Sequence, residues 1–215
     1  MTTSSFFRVF LYPVLVHQMI TALPAQVVIN EIMYHPPHAE QTVEPTSEEF
    51  IEFYNIGAST VSLIGWSLDA GVRFDFPTLA IPAGGYVVVA ADPLVFAARY
   101  PGVTVPVLGP WSGRLSNSGE RVRVVDAGGD PIDEVAYTDD GDWALRRRGE
   151  LDLGHRGWVW QTPADGEGHS LELMNPLLSN QQGQNWSAST DPGGTPGGTN
   201  SVATGNIPPM VREVK

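Results

Sequence analysis

The chain has 215 residues, enough for one domain with a sizeable core, and 24 acidic against 12 basic side chains give it a formal charge of −12. That balance argues against binding a phosphate backbone, which needs clustered Lys and Arg. Having no cysteine, the chain can form neither disulfides nor thiolate metal sites, and it has no cysteine nucleophile. The first element is "MTTSSFFRVFLYPVLVHQMITALPAQ": one cation at Arg8, an apolar run from Val9 to Val16, then small residues around "ALPA". This is the pattern of a secretory leader, with cleavage expected after Ala25. A short membrane anchor or a mis-assigned start is the alternative. No later segment is apolar enough to be a transmembrane helix, so the mature chain is expected to lack a membrane span.

The rest reads as short strands between Gly- and Pro-rich turns, with 23 glycines and 18 prolines in the chain. "VVINEIMY" (27–34) alternates, with Asn30 on one face and Glu31 on the other. A Pro-rich acidic loop leads to "EFIEFYN", then "STVSL" and "GWSLD" split by Gly65, then "VRFDF". "GGYVVVAA" is continuous and β-branched, as in a fully buried strand. "ADPLVFAARYPG" is the one predicted helix, with Asp92 as N-cap and Pro93 at the first helical position. "RVRVVDAGGDPIDEVAY" is a hairpin around Gly128-Gly129. Strands recurring at intervals of about 8–12 residues suggest a sandwich or barrel.

Glu49 and Glu52 lie inside the apolar "EFIEFYN" segment. Strand alternation puts them on opposite faces, so they cannot flank one bond as a catalytic carboxylate pair must. Glu52 is expected on an outer or half-covered face, because a buried carboxylate needs a partner and the sequence names none.

Residues 27–137 resemble a lamin tail domain, the immunoglobulin-like module also found in many bacterial secreted proteins. The carriers are "VVINEIMYHP", "EFIEFYNIGASTVSLIGWSL", "IPAGGYVVVAADP", "RLSNSGERVRVVDAGGDPIDEVAY" and the closing "GGTPGGTNS". The resemblance implies an all-β, immunoglobulin-like β-sandwich with one short helix and a loop-rich C-terminal extension, and it carries no catalytic residues. The domain then spans 26–200, with its core at 27–137 and an extension at 138–200. Residues 201–215 read as a linker or the start of a following module. Large exported proteins of this kind often continue into further modules, including a kinase-like domain of the spore-coat H type.

No G-x-S-x-G, H-E-x-x-H, G-x-G-x-x-G or phosphate-loop motif occurs. "TDDGDW" gathers Asp139, Asp140 and Asp142 around a glycine, at a density of hard oxygen ligands that suits calcium. It lacks the full calcium-loop pattern, and an Asp-Gly turn is the plain alternative. His35 and His38 flank Pro36-Pro37 without an evident third metal ligand. His155 and His169 sit in Gly-rich loops. Arg146-Arg147-Arg148 reads as an exposed, locally balanced loop. Trp66 is expected in the core, whereas Trp158, Trp160 and Trp186 lie in the extension and are freer. On a strand Trp158 and Trp160 would share one face and could stack on sugar rings. The expectation is a non-catalytic module, secreted or at the cell surface. Its partner would be a protein or a cell-surface polysaccharide, with no nucleic acid and no cofactor, calcium at the acidic turn being the exception left open.

Overall fold

The structure, a computed structural model, describes residues 26–38 and 43–206. The leader reading and residues 207–215 of the C-terminal linker lie outside the described residues. In chain order the strands are β1 (Val27–Met33), β2 (Phe50–Asn55), β3 (Val61–Ser62), β4 (Ser67–Ala70), β5 (Phe74–Asp75), β6 (Ala80–Ile81) and β7 (Tyr86–Ala90). After helix α1 (Pro93–Arg99) come β8 (Val107–Leu108), β9 (Glu120–Val125), β10 (Pro131–Tyr137), β11 (Leu145–Asp152), β12 (His155–Gln161), β13 (Leu171–Leu173) and β14 (Trp186–Ala188).

Two sheets make the sandwich. The larger runs β14-β13-β1-β2-β7-β8 and the smaller β10-β9-β4-β5. Among the described residues β11 pairs only with β12, and β3 only with β6. Every strand pairing among the described residues is antiparallel except β7 with β8. The inner faces meet in one core: Ile29, Ile51, Phe53, Val87 and Val89 from the larger sheet, with Leu68, Val122, Val124, Val135 and Tyr137 from the smaller. Each is at most 2 % exposed, and removing such apolar surface from water is the main favourable term in folding. β13 and β14 extend the larger sheet beside β1, so residues 171–188 complete the sandwich begun by 27–137.

The outer face of the larger sheet has two covers. Over one part, α1 lays Phe96 against Met33, Phe50, Val88 and Ala90. Asp92 caps that helix, its carboxylate accepting the N–H groups of Leu94 at 2.9 Å and Val95 at 3.3 Å. Over the other part lies the segment 193–202. Tyr100, just past the helix, ties the two covers by donating its hydroxyl to the Gly193 carbonyl at 2.9 Å.

Two tryptophans change places relative to expectation. Trp66 is half-buried and packs against the edge of the core. Trp186 is 3 % exposed and inside it, its indole N–H donating to the Asn180 carbonyl at 2.7 Å. β14 pairs with β13 in the larger sheet and so carries Trp186 into the sandwich, which local sequence could not show.

Candidate functional site

Three glutamates lie side by side on the outer face of the larger sheet. Glu31 pairs in register with Glu52 on β2 and with Glu172 on β13. All three side chains are fully buried. A β-bulge between Ile29 and Glu31 breaks the alternation. It lets Ile29 and Ile32 both face the inner core while Asn30 joins Glu52 on the other side. The expectation that Asn30 and Glu31 point apart fails for that reason. Asp133 of β10 steadies the bulge by accepting the Ile29 N–H at 2.6 Å.

The partners that the sequence left unnamed come from the closing segment. Thr195 donates its N–H to Glu31 Oε1 at 3.0 Å and its hydroxyl to Glu172 Oε1 at 2.8 Å. The Gly197 N–H donates to Glu52 Oε2. Ser201 donates to Glu172 Oε2 at 2.7 Å, and Ser170 to Glu31 Oε1 at 2.6 Å. Glu52 is thus fully buried rather than half-covered. Burial, then the charges of Glu52 and Glu172, push the Glu31 carboxyl well above its usual range. Glu52 is pushed up to about 8, chiefly by burial. The cluster is walled off from solvent, and its hydrogen bonds hold the closing segment on the sheet. Gly194 shows how close the fit is. It sits at φ +72°, and a Cβ there would run into Glu31 Oε1 and Ser170 Oγ.

Glu49 points away from Glu52, as alternation requires. Its Oε2 accepts the Leu115 N–H at 2.9 Å, and burial pushes it up to about 8. The two carboxylates do not act together.

The acidic turn does not draw its three carboxylates onto a common point. Asp140 Oδ1 accepts from the Thr138 hydroxyl at 3.2 Å. Asp142 accepts from the Gln184 amide through one oxygen and lies 3.6 Å from Arg146 through the other. Among the described residues, no group of three or more His, Asp or Glu side chains is arranged to hold a metal ion. Asp139 therefore joins neither Asp140 nor Asp142 in such a set. His35 instead meets Asp165 at 2.6 Å, and His169 the Ser189 carbonyl at 2.6 Å.

The exposed feature is the β11–β12 hairpin. The Arg146–Arg148 run is a strand rather than a loop, because Arg146, Arg147 and Arg148 pair with Trp160, Val159 and Trp158. Alternation then puts Arg146, Arg148, Trp158 and Trp160 on one face. The guanidinium of Arg148 stacks 4.4 Å from the Trp158 ring centroid, and that of Arg146 5.5 Å from Trp160. Trp158 and Trp160 remain 56 % and 50 % exposed. A two-residue turn closes the ribbon with positive φ at both Leu153 (45°) and Gly154 (84°), the hand that matches strand twist. Leu145, Arg147 and Val159 of the opposite face, together with Trp160, wall a cleft of about 800 Å³ against His169, Ser187 and Thr190.

Among the described residues no helix is long and apolar enough to cross a membrane. No curated protein matches the chain. The lamin tail domain family matches residues 21–139, just over half of the chain. The two-sheet sandwich agrees with the immunoglobulin-like fold of that family, and the hairpin lies beyond the matched stretch. On this match the chain belongs to the lamin tail domain family.

Proposed function

We propose that the chain is a non-catalytic interaction or structural module of an exported or cell-surface protein. The observation that carries this reading is the division of labour among its polar groups. Glu31, Glu52 and Glu172 are buried and bonded to the closing segment, a structural use. The Arg and Trp side chains of the β11–β12 hairpin face solvent, where they can meet a partner. The lamin tail domain is itself non-catalytic, and the leader pattern of residues 1–25 supports export.

Two measurements test the reading. The purified full chain, taken through hydrolase and transferase substrates, is expected to give no turnover. Activity that survives repurification and vanishes in an Asp or His variant would refute the non-catalytic part. N-terminal sequencing of the secreted product should begin near Gln26, and an intact Met1 on a cytoplasmic product would remove export.

A further inference from the structure

We propose that the outer face of the β11–β12 hairpin binds a linear, carboxylated polysaccharide laid along the ribbon. Arg146, Arg148 and Arg156 would pair with its carboxylates, and Trp158 and Trp160 would stack on its sugar rings. The inference rests on the interaction-module reading and names the ligand of that module.

Charge is the first argument. Four of the chain's 12 basic residues, Arg146, Arg147, Arg148 and Arg156, fall within residues 145–161, against only Glu150 and Asp152. Among the described residues Arg146 has a loose ion pair with Asp142 at 3.6 Å, and Arg147, Arg148 and Arg156 have none. On a protein of charge −12 this is a concentrated and only partly compensated positive site. Arg156 shares the face of Trp158 and Trp160, since β12 runs without interruption through these residues. Stacking on the rings holds the guanidinium planes of Arg146 and Arg148 in place and leaves N–H groups free for a carboxylate, which a guanidinium binds in bidentate fashion.

Shape is the second. The eight residues of β11 span about 26 Å at ~3.3 Å each, and two strands lie ~4.8 Å apart. Such a ribbon is far smaller than the ~800 Å² per partner of an ordinary protein interface. A narrow flat strip suits an extended polymer rather than a globular surface.

Chemistry decides between polymers. A polynucleotide draws its affinity from a basic track along many phosphates. Here 22 of the 24 acidic side chains lie outside the hairpin, against eight of the 12 basic ones, so the rest of the chain is acidic rather than basic. A sugar chain adds apolar C–H faces to its carboxylates, and the half-exposed indoles of Trp158 and Trp160 match those faces.

The test is affinity electrophoresis of the full chain in gels containing polygalacturonate, its fully methyl-esterified form, poly-L-glutamate or oligo(dT). Retardation is expected with polygalacturonate and should weaken with salt. The esterified polymer, poly-L-glutamate and oligo(dT) should each bind at least tenfold more weakly. The Trp158→Ala/Trp160→Ala and Arg146→Gln/Arg148→Gln double variants should lose at least tenfold in affinity with unchanged melting. The single Arg148→Gln variant should lose a smaller factor and guards against misfolding of the doubles. Equal binding to the esterified polymer would show that charge is not used. Equal binding to poly-L-glutamate or oligo(dT) would show a different polymer class. Binding that survives in the variants would place the site elsewhere. Any of these, or no binding at all, overturns the proposal. Turnover and N-terminal processing judge the module reading separately.

Discussion

Asn30 and Asn200, 170 residues apart, exchange side-chain hydrogen bonds beneath the closing segment. Asn30 Nδ2 donates to Asn200 Oδ1 at 2.8 Å, and Asn200 Nδ2 donates to the Asn30 carbonyl at 3.0 Å and the Leu173 carbonyl at 2.8 Å. Both side chains are buried. Asn30 also donates to Glu52 at 2.9 Å, so the pair joins the closing segment to the carboxylate cluster.

Replacing Asn200 by Ala should therefore destabilise the domain by about 2–4 kcal/mol, because it leaves one Asn30 amide N–H unpaired and takes a donor from the Asn30 and Leu173 carbonyls in a dry site. In a domain of this size that is roughly a 5–15 °C fall in melting temperature. Gly194→Ala should act in the same direction through its positive φ and the clash with Glu31. Calorimetry of both variants checks this, and wild-type melting in either would mean that the closing segment does not hold the sandwich together.

Stability should fall as pH rises from about 5 to 8. Burial raises Glu49 from its ordinary 4.5 to about 8, and raises Glu52 and Glu31 in the same direction. Between those limits the native protein keeps protons that the unfolded chain releases, so raising the pH favours unfolding. Below about 4.5 both states are protonated and this loss disappears. Asp69 works the other way. Held below its usual range by bidentate bonds from Arg123 at 2.8 Å, its contribution is lost as pH falls below the usual Asp range. Glu49→Gln can still accept the Leu115 N–H, and should flatten the slope and raise melting at pH 8. Melting temperatures measured from pH 4 to 9 decide, and a flat or rising curve between 5 and 8 would contradict the assignment.

Trp186→Ala should cost about 3–5 kcal/mol, a large part of a typical stability, since it empties a core site and orphans the Asn180 carbonyl. Trp66→Ala, at a half-buried site, should cost less. Urea unfolding of the two proteins gives the ranking, and a larger loss at Trp66 would mean that the core is centred elsewhere.

Millimolar calcium is expected to leave melting unchanged. Asp140 and Asp142 already bond Thr138, Gln184 and Arg146, and Asp139 does not complete a site with them. A bound ion at 100 times its Kd would stabilise by about 2.7 kcal/mol. A rise of several degrees, reversed by chelator, would show that Asp139, Asp140 and Asp142 do gather around the ion.

Much of the sandwich was legible because its signals are local. The Val87–Ala90 run, the Asp126–Asp130 turn between β9 and β10, and the Asp92 cap with Pro93 are written in neighbouring residues. The separation of Glu49 from Glu52 followed from strand period alone. Tertiary structure decided the rest. Asn30 and Glu31 read as opposite faces until a bulge, braced by Asp133 from over a hundred residues away, shifted the register. Glu52 had no visible partner because its donors, Asn30 and Gly197, arrive from other parts of the chain. Arg146 and Arg148 read as a balanced loop because their stacking on Trp160 and Trp158 exists only once the Leu153–Gly154 turn sets the hairpin register. A buried charge or a stacked cation depends on which distant groups replace its water, and spacing along the chain does not encode that.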